Sequence, residues 1–518
     1  MAPTLDDAPQ PPIGDGRRIA RNAGSAYAVR LLLGLSVLLV TPYLFRSLGP
    51  GGFGTWSVIF TVAAVFDLLE LGFSAGVSKL MAELRAEDRR AEQEAALGAS
   101  IVLMSGLALV GAAVSLAVGF AATGLAADGD ERAFRLGMVA LAAVVLVRFP
   151  CVAYAATLQG HQRYDLWNLA KAVATVGFAV GAVVAVGAGG GVLGVALAYA
   201  GSLLVEGGLY VVLLARSTPG ISLRPHAGDR GTRRRIAAFG SFALLADSMR
   251  FIGQRMDTVV VAALRGATAA GPFAAALKLQ SGLQALTLPF VNLLIPMVSE
   301  LQARGRSDEV VRRLTASTRV ALQITLPVAV ALSLFADDVV GVWLGSSAPA
   351  VTAQIVIVLM VVQTVTLSAF PAEQVLIGIG RVRTVGLLAL VEGLSNLVVS
   401  IALVAAYGAI GAAVGTLLTS AVLAPVKFPL VCRALGHPTG AYLRASLWPA
   451  LIGALPAVAA MIAVSLVMDP GLARLALGMG VGLSVAAATT VVQLGPGRIL
   501  ALARGIRRRG GQPSVVGA

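Results

Sequence analysis

Charge is scarce in this chain. Of its 518 residues only 13% are charged while 57% are hydrophobic, and the mean hydropathy is +0.85. A water-soluble domain usually carries about 25% charged and 45–50% apolar residues. No soluble core could hold this apolar excess, so lipid must serve as solvent for much of the surface. Cysteine is nearly absent. Cys151 and Cys432 lie far apart within apolar stretches, which excludes a disulfide framework and a cysteine-based metal site. Histidine is equally rare: His161, His226 and His437 fall in separate loops without metal-ligand spacing and are expected on solvated surface. Aromatic residues make up 6%. No glycine-rich phosphate loop of the Walker type occurs, so ATP is not expected to drive any activity.

What is abundant is Gly, Ala, Val and Leu, and small residues let helices approach closely in lipid. Fourteen apolar segments can be drawn: 25–47, 53–77, 96–119, 135–157, 166–187, 192–215, 237–262, 268–297, 316–338, 350–374, 383–405, 409–432, 446–467 and 472–494. Most have the ~20–25 residues that an α-helix needs to cross the ~30 Å of hydrocarbon. Barrel alternation is missing, so the fold class is all-α and polytopic, because only helices satisfy their own backbone in lipid. The pair 166–187 and 192–215 is separated only by the turn Ala188–Gly191.

Arg and Lys positions test this map. With the N-terminus cytoplasmic, inside segments hold 27 cations, most densely at 216–235 and 498–509. Outside loops and their edges hold five: Arg46, Arg132, Arg135, Arg265 and Arg474. That asymmetry sets both termini in the cytoplasm of a plasma (inner) membrane. It also accounts for the net charge of +14 without nucleic acid. The start, Met1 to Pro12, reads as a disordered tail. Arg17, Arg18 and Arg21 precede a run too long for a signal peptide, and a retained first helix is expected.

The chain repeats with a shift of about 219 residues. Arg46 and Phe53 match Arg265 and Phe273, and L-x-G-x-x-R occurs at Leu158–Arg163 and again at Leu376–Arg381. Gly194 follows Gly160 by 34 residues and Gly411 follows Gly378 by 33. Six crossings return the chain to its starting side, so the two copies share one orientation. Such halves are related by an axis along the membrane normal, with a binding site expected between them. The expected layout is a cytoplasmic tail at 1–22, an N-lobe at 23–216, a basic linker at 217–236 and a C-lobe at 237–435. Two further helices at 436–495 and a basic tail at 496–518 complete it.

Three stretches carry a family likeness. Arg46-Ser47-Leu48-Gly49-Pro50-Gly51-Gly52-Phe53-Gly54 resembles the R-x-L-G-x-x-x-[FY]-G signature of polysaccharide-repeat flippases. Glu70-Leu71-Gly72-Phe73-Ser74-Ala75-Gly76, with Lys79 and Ala82, is similar to their second-helix pattern. Asp257, through Ala262-Ala263-Leu264 to Gly271-Pro272-Phe273, is similar to their seventh-helix pattern, with Arg265-Gly266 in place of L-G. The likeness covers roughly residues 20–435, and its superfamily also holds lipid II flippases and cation-coupled multidrug antiporters. It implies two six-helix lobes, a cavity lined by spans 1, 2, 7 and 8, alternating access, and a lipid-linked oligosaccharide as cargo. It also implies membrane lipids and a polymerase or glycosyltransferase machinery as partners.

Ionisable residues inside spans are expensive and usually face a cavity or a partner. The cations are Arg30, Arg148, Lys171, Arg250, Arg255, Lys278, Arg319 and Lys427, and the acids are Asp67, Glu70, Glu206, Asp247, Asp257, Glu373 and Glu392. Asp247, Arg250, Gln254 and Asp257 fall within an arc of about 80° on one helix, bordered by Arg255. Lys278, Ser281 and Asn292 align on the next span. With Arg30 these residues are the expected cavity lining: cations for a diphosphate, Arg in bidentate contact, hydroxyls and amides for sugar. The alternative is that the charges pair within each lobe and only set packing. Lys427 and Arg319 lie near helix ends and are expected to snorkel. Asp67 and Glu70 are candidates for coupling to an H+ or Na+ gradient; otherwise the membrane potential would drive the cycle. No cofactor or metal is expected. An enzyme is disfavoured, because loops carrying Asp128, Asp130 and Glu131, or Asp337 and Asp338, are too short to build a sugar site. A multidrug antiporter would keep fewer cations in its spans.

Overall fold

The computed structural model describes residues 16–218, 222, 231 and 256–494. Among these there is no strand. Eleven helices are long and apolar enough to cross a membrane, or twelve with one bent pair. The protein is a multi-pass membrane protein. The fourteen expected spans are not all counted separately among the described residues, since the first two run into one helix and much of 237–262 lies outside them.

That first helix, α1 (Gly16–Ala86), would be about 105 Å long if straight, far more than one bilayer. Gly49 breaks it, with φ 70° and ψ 173°. The positive φ suits glycine, and the extended ψ is what the following Pro50 imposes. The signature motif therefore marks a kink between two spans. Just past the kink, a Cβ on Gly54 would collide with the carbonyl of Ala267, and one on Gly271 with the carbonyl of Pro50. Two backbones touch there, which explains why the motif ends in glycine.

The chain divides into two compact units, Met1–Gly271 and Pro272–Ala518. In the first, α2 (Arg90–Ala121), α3 (Glu131–Gly160), α4 (Tyr164–Gly187) and α5 (Gly191–Ser217) follow α1. Helix α3 is the hub and packs against α1, α2 and α5. The α4–α5 hairpin turns through Gly189 and Gly191, both at positive φ. Residues 256–265 are helical and lead to α6 (Ala267–Asn292). In the second unit come α7 (Leu294–Ala303), α8 (Ser307–Leu334), α9 (Ala336–Leu344) and α10 (Val351–Gly378), then α11 (Val382–Tyr407), α12 (Ala409–Leu423) and α13 (Lys427–Ala434). Here α10 is the hub, packed against α7, α8 and α12. Helices α14 (Thr439–Val467) and α15 (Leu472–Leu494) lean on α8, joined by a Thr318–Tyr442 hydroxyl pair at 2.8 Å.

The repeat has a physical basis. A Cβ on Gly160, at the end of α3, would sit 2.5 Å from the Met81 Cβ and 2.9 Å from the Ser78 carbonyl of α1. A Cβ on Gly378, at the end of α10, would sit 2.9 Å from the Val298 Cβ and 3.1 Å from the Ile295 carbonyl of α7. Both helices then close alike. The Arg163 amide donates to Leu158 at 2.9 Å and the Arg381 amide to Leu376 at 2.8 Å, across Gln162 (φ 58°) and Gly380 (φ 82°). These are Schellman closures. Gly194 presses on Ala185, and Gly411 on the Leu403 backbone, at the start of the next hairpin in each copy.

Candidate functional site

Each unit keeps ionised side chains in its interior. In the first, Arg148 extends from the middle of α3 and is 3% exposed. Its guanidinium lies 3.3 Å from Asp67, 2.8 Å from Glu70 and 3.6 Å from Glu206. Asp67 and Glu70 are three residues apart on α1, hence on one face. Lys171 of α4 reaches Glu206 of α5 at 3.5 Å and stands 5.0 Å over the Trp167 ring. The Tyr210 hydroxyl, one turn along α5, donates to the same carboxylate. Glu70 and Glu206 are buried, while Asp67 and Lys171 are partly open. Trp56 of α1, Phe178 of α4 and Tyr199 of α5 pack together with ring centroids 5.5–5.6 Å apart.

In the second unit Lys427 bonds Glu373 of α10 at 2.7 Å and lies 3.5 Å from Glu392 of α11. This corrects the expectation that Lys427 snorkels. The helix breaks over 424–426, where Pro425 cannot continue the α12 ladder, and Lys427 restarts it with its side chain buried. Arg319, also expected to snorkel, instead donates to the Ala445 carbonyl at 2.7 Å and ties α8 to α14. Nearby, Gln284 donates to Gln363 at 3.1 Å.

Unpaired charge in lipid is costly, and a buried pair is maintained only with good geometry. Both sets therefore fix helix positions as well as offering polar groups. Among the described residues the first set joins three carboxylates to two cations and the second joins two carboxylates to one.

The expected cavity residues are distributed unevenly. Asp247, Arg250, Gln254 and Arg255 lie outside the described residues, as does the side chain of Arg30. Asp257 is buried at 4% exposure. Lys278 and Asn292 are half-buried, and Ser281 is exposed and donates to its own helix at Leu277. Asp67 and Glu70 come together, around Arg148. The pairing of Arg148 and Lys171 with Glu206 accords with the alternative that charges pair within a lobe, while the Tyr210 contact is an addition to it. The four-residue spacing of Glu206 and Tyr210 was the one local hint.

The acids of the short loops hold structure. Thr55 hydrogen-bonds Asp130 and also receives the Ala127 amide at 2.9 Å. Burial and neighbouring Glu131 push the Asp130 carboxyl up from its ordinary value. Asp338 receives the Gly471 amide at 2.7 Å and the Arg474 guanidinium at 2.6 Å. His161, expected on solvated surface, is half-buried, with its ring nitrogen 3.1 Å from the Gln93 amide oxygen. Among the described residues no cluster of His, Cys, Asp or Glu could hold a metal ion, and both cysteines are free.

Residues 19–302 match a family described as polysaccharide biosynthesis protein. No curated protein matches the chain in sequence. Solved structures do match in fold. An inward-facing multidrug resistance MATE family transporter of the MOP superfamily superposes with a TM-score of 0.69 at 18% identity, over 79% of this chain and 98% of that one. The lipid II flippase MurJ, in an inward closed conformation, gives 0.67 at 12% identity, over 91% and 98%. A MOP superfamily transporter from Pyrococcus furiosus, whose binding pocket is described as reversed in polarity, gives 0.53 at 17%, over 81% and 96%.

Proposed function

The chain belongs to the polysaccharide biosynthesis protein family, and from that premise we propose that it is a flippase for a lipid-linked oligosaccharide. It carries the polyprenyl-diphosphate glycan from the cytoplasmic to the outer leaflet of the plasma membrane by alternating access, in the assembly of a cell-surface polysaccharide. The observation that carries this reading is the family match over 19–302, a stretch that contains Arg30, Arg250, Arg255 and Lys278, which the sequence places in apolar spans. Those cations would hold the diphosphate, with Asp247, Gln254, Asp257, Ser281 and Asn292 toward the sugars. The polyprenyl tail would stay in the bilayer, so only the headgroup needs a polar path.

The cycle has no chemical step and requires no cofactor. A proton or sodium gradient, or the membrane potential, would drive it. If Asp67 and Glu70 couple an ion, they do so in exchange against Arg148, which already occupies them. Both termini lie in the cytoplasm. The partners are membrane lipids and the polymerase or glycosyltransferase that makes or consumes the cargo. The MATE-like fold favours one second reading, a cation-coupled multidrug antiporter.

Affinity for a short-chain polyprenyl-diphosphate oligosaccharide in nanodiscs tests the first reading. Arg250→Ala and Arg255→Ala should each weaken binding at least about tenfold, the worth of a charge-assisted hydrogen bond. Wild-type affinity in both variants would remove the cations from the site, and binding of an organic cation in place of the glycan would favour the antiporter.

A further inference from the structure

The second unit has a groove unconnected with its buried ion pair. Its floor is one face of α8: Arg313, Ala316, Ser317, Val320, Ala321 and Ile324 follow at helical spacing. Phe290 and Val291 of α6 and Met297 of α7 form the facing wall, and the volume is about 180 Å³. The wall that α6 and α7 form is bent: the segments 267–288 and 290–303 meet at 41°. Pro296, in the first turn of α7, offers no amide to the Asn292 carbonyl, and the helix breaks at Leu293. Helix α7 then packs along α8. Phe290 and Leu293, more than half exposed, flank the opening.

Three features give the groove the shape of a lipid site. From Arg313 to Ile324 it runs eleven residues, about 16 Å, roughly half of a ~30 Å hydrocarbon layer. It is therefore one leaflet deep. Its inner end is closed by a hydroxyl contact of 3.2 Å between Thr287 and Thr325, both buried. Its outer end is cationic. Arg306, Arg312 and Arg313 all converge on the single carboxylate of Glu309, with Arg313 at 3.3 Å and Arg312 at 3.9 Å. All three guanidinium side chains are at least half exposed. Counting Asp308 in the same turn, the mouth stays net positive, on the cation-rich face that the chain turns to the cytoplasm.

We propose that this groove binds one acyl chain of an anionic glycerophospholipid from the cytoplasmic leaflet, with the phosphate against Arg313 and Ser317. A lipid seated there wedges the bend between residues 288 and 290 and so acts on the spans at the bend rather than on cargo. An apolar groove alone would take any chain. The arginines select an anionic headgroup, and juxtamembrane cations attract such headgroups at the membrane surface.

Native mass spectrometry of the full chain, delipidated and then offered defined lipids, tests this. Phosphatidylglycerol should be retained about fivefold better than phosphatidylcholine. Arg313→Gln should erase that preference. Ala316→Trp, which fills the groove from an exposed position, should abolish retention while leaving the unfolding temperature of the lipid-free protein within a few degrees. Equal retention of both lipids by the wild type, or undiminished retention in Ala316→Trp, would overturn the proposal. So would preferential retention of undecaprenyl phosphate, which would make the groove a seat for the cargo's tail.

Discussion

In the first unit the buried cation Arg148 comes from α3 and its partner Glu206 from α5. In the second, the acid Glu373 comes from α10 and the cation Lys427 from α13. Helices α3 and α10 are the hubs of their copies of the repeat, and α5 corresponds to the α12–α13 pair. The third member differs as well: Lys171 on α4 is a cation, whereas Glu392 on α11 is an acid. The repeat has preserved the meeting point of three helices and exchanged the signs placed there. What the packing demands is a satisfied charge, and either partner can supply either sign.

The comparison breaks most visibly on removal of a cation. Arg148→Ala leaves three carboxylates facing one another and should destabilise by about 3–5 kcal/mol. Lys427→Met leaves two and should cost less, read as a smaller fall in Tm in detergent. Equal falls would show that the two sets are energetically alike. Next, each charge reversal of the pair Glu373→Lys and Lys427→Glu should be deleterious alone. The double variant should recover most of the lost stability if sign is as exchangeable as the two units suggest. A double variant no better than the worse single would confine the exchange to evolution. Third, Gly160→Ala forces its Cβ onto Met81 and the Ser78 carbonyl, and Gly378→Ala meets slightly more room. Overpacking of about 1–3 kcal/mol is expected, larger at Gly160.

The smallest effects concern the L-x-G-x-x-R turns. Gln162 holds a φ of 58° where the other copy has Gly380, so Gln162→Gly should stabilise by up to about 1 kcal/mol. Next to it, His161 has its pKa pushed down to about 4 by burial and by the nearby Arg85 guanidinium. The unfolded chain then takes up a proton before the folded one does. The stability contributed by the neutral ring is complete above pH 6.5 and is lost as pH falls from there toward 4. His161→Gln should flatten that part of the stability profile. The second copy, with Ile379 in this place, has no such dependence to lose.

Much of the fold was legible because lipid imposes simple rules. Span length and the glycine spacings of the repeat are local or additive quantities. The glycines at 160, 378, 194 and 411 were visible as a pattern before their close approaches gave the reason. Short helix α9 was not legible. Its nine residues are too few for a span, and Asp337 and Asp338 made the segment read as an open loop, whereas Asp338 is spent on Arg474. The ionic sets were legible only as an inventory of charged residues. Which of Arg148, Lys171, Glu206 and Glu70 touch depends on how four helices pack, and no periodicity within one helix encodes that. Lys427 was misread for a related reason: sequence places it near a helix end, but Pro425 redirects the chain so that the end points inward.

Movement of a lipid-linked glycan across the bilayer is the activity proposed for this chain. The most direct measurement reconstitutes the wild-type protein in proteoliposomes with a polyprenyl-diphosphate oligosaccharide on one leaflet and follows its exposure to a membrane-impermeant glycosidase on the other. Exposure well above that of protein-free vesicles, with no uptake of an organic dye cation by the same vesicles, is the predicted result. Glycan exposure no faster than in protein-free vesicles, from protein shown to be folded by its unfolding transition, would rule out flippase activity toward this cargo.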